Sequence, residues 1–275
     1  MSLDATQGRF HVPGIRGSLA CRAESCGFTG RLENGVLLFA EPGAESFFDA
    51  RTEMMDRVVS DPGTRALFYE AQGETARRYL AGAPVILDVG CGGTLQYPRP
   101  VGSCVIGLDL SIRLLRQNKD LDVAIYGSAT DLPVADRSVD RVVCFYAVHH
   151  FVGGSVADNR GVVERAFAEF GRVLRPGGQL LVFDLSPWWL FWWAQRLAWN
   201  GARRALGTRV DMFFWRARAL EELAGHHLGR PAQLEREVFR GHPLTLLPAG
   251  VALSWLRIPR LLFPFTICLY RWQAR

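Results

Sequence analysis

Between Val85 and Asp109 two apolar stretches each run into an acid. Val85-Ile86-Leu87-Asp88-Val89 feeds the turn Gly90-Cys91-Gly92-Gly93, and Val105-Ile106-Gly107-Leu108 ends in Asp109, 21 residues after Asp88. Near-continuous apolar runs of this length are strands covered on both faces, which restricts the chain to a mostly parallel α/β sheet. Glycines after the first strand let backbone approach a ligand closely. An acid closing the second strand is placed to accept hydrogen bonds from a vicinal diol, since a carboxylate is acceptor-only. The pattern reads as a nucleoside-binding crevice at the carboxyl edge of the sheet.

The alternation continues downstream. Further strands are expected at Val123–Tyr126, Val139–Tyr146 and Gln179–Leu185, after Val85–Val89 and Cys104–Leu110. Before the last of them comes an amphipathic helix with the stripe Val162, Val163, Ala166, Phe167, Phe170, Val173 and Leu174, opposed by Glu164, Arg165, Glu169 and Arg172. Pro176-Gly177-Gly178 is expected to stop it. The connection at 90–103 carries Pro98 and Pro100, so a truncated helix or an irregular loop is expected there. A helix starting near Thr64 would align Leu67, Ala71 and Thr75, and Pro264 to Arg275 suits a last strand.

The glycine turn excludes two phosphate-binding signatures. A dinucleotide fingerprint starting at Gly90 would need glycine at Leu95, and no Gly-Lys-Ser/Thr follows. The segment Val85 to Ser186 instead resembles class I S-adenosylmethionine-dependent methyltransferases, in the branch of the ubiquinone/menaquinone-biosynthesis and other small-molecule enzymes. Six motifs carry the resemblance in order: Leu87-Asp88-Val89-Gly90-Cys91-Gly92, Ile106-Gly107-Leu108-Asp109-Leu110-Ser111, Gly127-Ser128-Ala129-Thr130-Asp131-Leu132-Pro133, Ser138-Val139-Asp140-Arg141-Val142-Val143-Cys144, Ala147-Val148-His149-His150 and Leu174-Arg175-Pro176-Gly177-Gly178.

The resemblance implies a Rossmann-like, mostly parallel seven-stranded sheet with an antiparallel last strand, and S-adenosylmethionine as cofactor. Gly90, Cys91 and Gly92 would pass under its methionine part, with Asp88 anchoring the ammonium and the Cys144 carbonyl assisting. Asp109 would hold the ribose, Leu110 would lie on the adenine and Ala129 would read its edge. The family's third turn glycine is Thr94 here, and the acid that usually takes the adenine amino group is Ser128, for which Asp131 or a water could substitute. His149 and His150, with Tyr146 beside them, are the catalytic candidates at the crevice mouth; His226, His227 and His242 are further imidazoles able to act as a base.

Charge and tryptophan divide the chain. The net charge is +5, yet from Pro187 onward 13 Arg face 5 acids, so the first 186 residues carry −3; all eight tryptophans lie in the basic part. The expected organisation is an N-terminal appendage at 1–49 (a degenerate zinc ribbon or irregular), the cofactor-binding core at 50–186, a Trp-rich helical lid at 187–235 and final strands at 236–275. Within the lid, Arg196, Asn200, Arg203 and Arg204 form a polar stripe with Leu197, Ala198, Trp199, Ala202 and Ala205 facing elsewhere. The run Trp188-Trp189-Leu190-Phe191-Trp192-Trp193 reads either as a lid packed on the core, or as the wall of an acceptor pocket formed by Trp188, Trp192, Trp193, Phe213 and Trp215, or as a membrane-docking surface.

Cys21 and Cys26 could be half a zinc ribbon, with His11 as one further ligand, but no second cysteine pair follows and no metal is expected. Scattered cysteines, the lack of a signal-peptide pattern and apolar runs too short to span a bilayer lead us to expect a cytoplasmic protein, with possible peripheral contact to the inner membrane face. The activity expected is methyl transfer to a hydrophobic small molecule such as a natural product, quinone or lipid precursor. The rivals are an RNA base methyltransferase, which the singly spaced arginines disfavour, and a non-catalytic binding module of the same fold.

Overall fold

The computed structural model describes residues 16–20, 29–39, 69–228, 235–239, 246–249, 253–259 and 264–274. Twelve strands are found among them: β1 (Arg16–Ala20), β2 (Thr29–Glu33), β3 (Val36–Leu38), β4 (Val85–Val89), β5 (Cys104–Asp109), β6 (Val123–Tyr126), β7 (Val139–Phe145), β8 (Leu174–Pro187), β9 (Glu235–Phe239), β10 (Leu246–Ala249), β11 (Leu253–Pro259) and β12 (Phe265–Gln273). The α-helices are α1 (Ala71–Leu80), α2 (Ile112–Gln117), α3 (Val156–Val173), α4 (Trp189–Leu206) and α5 (Ala217–Gly225).

Ten strands form one sheet in the order β1-β2-β3-β6-β5-β4-β7-β8-β12-β9. The seven from β6 to β9 are the expected core, and β12 runs antiparallel to both of its neighbours. What the sequence did not announce is the extension. The tight turn Asn34-Gly35, both residues at positive φ, folds β2 back on β3, and β3 joins β6 in parallel register. The N-terminal strands thereby continue the core sheet. Cys21, Cys26 and His11 lie outside the described residues, as does His242.

Alternation along the strands sends side chains to two covered faces. Leu87, Val142 and Leu180 join the α3 residues Val163, Phe167 and Phe170 on one side. Ile86, Val143, Leu181 and Phe183 meet Ala76 and Leu80 of α1 on the other. The buried face of α1 is Gln72, Thr75, Ala76 and Leu80, whereas Ala71 is exposed, so the expected Ala71–Thr75 face is corrected by about one residue position. The connection from β4 to β5 is irregular, with no helix at 90–103.

Helix α3 ends at Val173, before the Pro-Gly-Gly turn. Leu174 is already extended and pairs with Val139, and proline disfavours helical geometry at Arg175. The strand β8 therefore starts five residues earlier than the apolar pattern alone implied. It leads straight into α4 at the carboxyl edge of the sheet.

Candidate functional site

Four strand ends, β4, β5, β6 and β7, place their following turns along one edge of the sheet. Gly90 and Gly92 have φ values of +74° and +60°, which glycine adopts without a Cβ penalty. A Cβ at Gly90 would collide with the Ala147 methyl, so the turn after β4 and the turn after β7 touch there. Above Gly92 a Cβ would meet nothing within 4 Å. The turn is open where a ligand would cross it.

Its shape is held by polar bonds from neighbouring elements. Asp109, at the end of β5, accepts from the Gly92 N–H (2.9 Å) and from the Ser111 N–H (2.8 Å). The Asn118 amide donates to the Gly92 carbonyl (3.1 Å). Ser111 in turn caps α2 by accepting from the Leu114 N–H. The Cys91 side chain is buried and faces Gly107, where an added Cβ would lie 2.8 Å from its sulfur, so Cys91 presents main chain to the turn. Leu110 is about half exposed just beyond Asp109, a free apolar surface beside the crevice.

Asp88 lies beneath this turn, buried in β4. One carboxylate oxygen accepts from the Tyr97 hydroxyl (2.9 Å), and the other is buried with no hydrogen-bond partner. Burial pushes its pKa up to about 7, against the lowering effect of Tyr97 and with the help of the Asp109 charge. A buried carboxylate oxygen without a donor is costly unless a ligand completes it. A ligand bearing an ammonium group at one end and a ribose at the other matches Asp88 and Asp109 in charge and hydrogen-bonding capacity. The residues present therefore fit S-adenosylmethionine.

The loop after β6 is ordered by its own side chains and by α3. The Ser128 hydroxyl bonds Thr130 Oγ1 (2.8 Å) and accepts from the Thr130 N–H (3.2 Å), so it orders its own turn. Asp131 is exposed and Ala129 buried. Glu169 and Arg172, placed by periodicity on the solvent face of α3, hold this loop instead: Glu169 accepts from the Leu132 N–H (2.7 Å) and Arg172 donates to the Leu132 and Val134 carbonyls (2.8 Å each). Their role is a correction to the amphipathic reading. Burial would raise the Glu169 pKa, but Arg172 and the Leu132 N–H outweigh it and lower it.

At the end of β7, Cys144 is fully buried and its thiol pKa is pushed up by burial, although the Ala147 and Val148 N–H groups reach its sulfur. Tyr146 sits at φ +53°, a conformation that costs a non-glycine residue of order 1 kcal/mol and marks a functional bend in many proteins. Its ring is edge-on to Tyr69 and Phe145, and burial keeps its phenol protonated. A single 3-10 turn, Val148–His150, follows.

His149 is anchored on three sides. Its Nδ1 is 2.7 Å from Asp184 Oδ1, its N–H donates to Asp184 Oδ2 (3.1 Å), and its carbonyl accepts from the Phe213 N–H (2.7 Å). Asp184 is buried near the end of β8. Nδ1 being held by a carboxylate, Nε2 is the nitrogen left to exchange a proton. Phe214 stacks on the imidazole at 5.0 Å and contacts Phe191 and Phe265, all three half-buried. His150 lies against the Asp211 carbonyl, and burial, then His149, lowers its pKa.

The five expected pocket aromatics separate into two groups. Trp192, Phe213 and Trp215 are buried on one another and on Trp199, with ring centroids 5.0–5.8 Å apart. Trp188 and Trp193 are about half exposed. His226 and His227 are exposed past the end of α5, away from these strand ends. Sequence reasoning missed Tyr97, Asn118, Asp184, Phe214 and Phe265. Only Asp184 left a signal, as a lone acid inside the apolar run Leu180-Leu181-Val182-Phe183-Asp184-Leu185.

Residues 87–182 match the family model described as a methyltransferase domain. A demethylmenaquinone methyltransferase of Renibacterium salmoninarum is 36% identical over 107 residues, covering 37% of this chain and 41% of the relative. A ubiquinone/menaquinone biosynthesis C-methyltransferase of Syntrophotalea carbinolica is 30% identical over 152 residues, covering 50% and 57%. The chain thus spans about half the length of the curated relatives it matches. Among solved structures, a cyclopropane synthase of Mycobacterium tuberculosis superposes with a TM-score of 0.56 at 14% identity, over 84% of this chain and 100% of that one, a likeness of fold.

Proposed function

On the premise that this chain carries a class I S-adenosylmethionine-dependent methyltransferase domain of the ubiquinone/menaquinone-biosynthesis-like branch, we propose that it methylates an apolar small molecule held beside His149. The bound S-adenosylmethionine supplies a methyl group already activated by its sulfonium charge. What the chain must add is position, exclusion of water and a destination for any proton the acceptor loses.

The observation that carries the reading is the buried His149–Asp184 pair roofed by Phe214. Asp184 fixes the ring orientation through both Nδ1 and the main chain, and stabilises the imidazolium once Nε2 has taken a proton. Phe214 lies against that imidazole and is continued by Phe191 and Phe265, an apolar wall that favours a hydrophobic acceptor over a polar one. The quinone-pathway names of the relatives support the same class.

The test is transfer of labelled methyl from S-adenosylmethionine to a panel of quinols, phenols and lipid precursors, followed by organic extraction. Label should enter the organic phase, and His149→Gln should lower the rate by about 10²–10⁴-fold while calorimetric cofactor affinity stays unchanged. Label recovered in RNA, or an unaltered rate in His149→Gln, would overturn the proposal.

A further inference from the structure

Helix α4 turns an apolar face to solvent. Trp189, Leu190, Trp193 and Leu197 recur at helical spacing and are 62%, 65%, 52% and 81% exposed. The opposite side holds the helix to the molecule through Trp192 and Trp199. One helix therefore has two apolar faces, of which packing uses one. Contiguous apolar exposure of this size in a folded chain marks a surface that meets something else.

The charge on the same helix indicates what. Its 18 residues contain no acid, while Arg196, Arg203 and Arg204 lie on it and Arg209 follows in the next turn. Arg196 lies over the Trp192 and Trp193 rings at 5.2 and 5.5 Å, so a cation sits at the border of the exposed aromatics. Tryptophans beside arginines, without acids, suit the boundary between acyl chains and anionic headgroups. Among the described residues no helix is long and apolar enough to cross a membrane, so α4 would lie in the plane of the surface. A second copy of this chain is a poorer occupant, because a symmetric contact would bring like-charged arginines together.

We infer that the outer face of α4 docks on an anionic phospholipid bilayer, with Trp189, Leu190, Trp193 and Leu197 in the interfacial layer and the arginines at the phosphates. The inner side of the first turn carries Phe191, which contacts Phe214 and Phe265 beside His149, so the docking face adjoins the acceptor side of the site. The docking itself rests on the surface alone and stands or falls separately from the acceptor reading.

The experiment is co-sedimentation of the full chain with vesicles of phosphatidylcholine and with vesicles of phosphatidylcholine and phosphatidylglycerol in equal parts. Sedimentation should require phosphatidylglycerol and weaken with salt. The double variant Trp189→Ala/Leu197→Ala should partition at least about tenfold less, and Arg204→Gln about fivefold less. Calorimetric S-adenosylmethionine binding, unchanged in both variants, shows that they remain folded. No sedimentation of the unaltered chain, no loss in the double variant, or a concentration-dependent dimer abolished by that variant would overturn the inference.

Discussion

The two halves of the crevice are made by different means. On the β4–β5 side, contacts are polar and close in sequence: Asp109 holds Gly92 and Ser111, and Tyr97 reaches Asp88 across nine positions. On the β7–β8 side they are long-range and largely aromatic. His149 depends on Asp184, 35 positions away, and its roof comes from Phe214 and, behind it, Phe265. Hydrogen-bonded turns of glycine and acid specify a shared ligand through directional geometry. Stacked rings specify an apolar shape, which substitutions can alter without destroying directional bonds. The first half is suited to a fixed cofactor and the second to a variable acceptor.

The division is broken hardest at Asp109. Asp109→Ala removes the expected ribose contact and releases the Gly92 and Ser111 N–H groups at once. Two or more charge-assisted hydrogen bonds should cost about 100-fold or more in S-adenosylmethionine affinity by calorimetry. Unchanged affinity would reject the assignment of this half.

Asp88 sharpens the comparison through pH. Its pKa in the fold is about 7, raised from 3.8 mainly by burial. A carboxyl raised in this way favours the folded state in its protonated form. Stability from this group is thus complete below pH 4 and lost as pH rises through 7. A cationic ligand reverses the preference and needs the carboxylate. Cofactor affinity should therefore fall about tenfold per pH unit below 7, with proton release visible as a dependence of the calorimetric enthalpy on buffer. Asp88→Asn should abolish the proton release; its persistence would locate the titrating group elsewhere.

The smallest effect tests the aromatic half. Phe214→Ala should raise the acceptor KM about tenfold, from lost apolar contact, and leave cofactor affinity within twofold. Equal losses for both ligands would show that the two halves are one packing unit.

Much of the cofactor half was legible because its signals are local. Val85–Val89 and Val123–Tyr126 are strands over the residues their apolar runs marked, and the prolines at 98 and 100 do exclude a helix between β4 and β5. Boundaries failed where pairing overrode local pattern, as when Val139 drew Leu174 into a strand. Polarity misled at Glu169 and Arg172: a charged pair on a helix looks solvated, yet four of its hydrogen bonds clamp the loop after β6.

By itself the sequence determined the parallel core, the open glycine turn and the acids at the strand ends, because periodicity and short-range turn chemistry act within a few residues. Only the tertiary structure decided that β1–β3 would extend the sheet, that Asp184 would hold His149, and which side of α4 would be buried. That helix is apolar on both sides, so its periodicity cannot choose; Phe213 and Trp215, brought against it by the chain beyond, make the choice by packing on Trp192 and Trp199. Trp189 and Leu197 are left facing outward for the same reason.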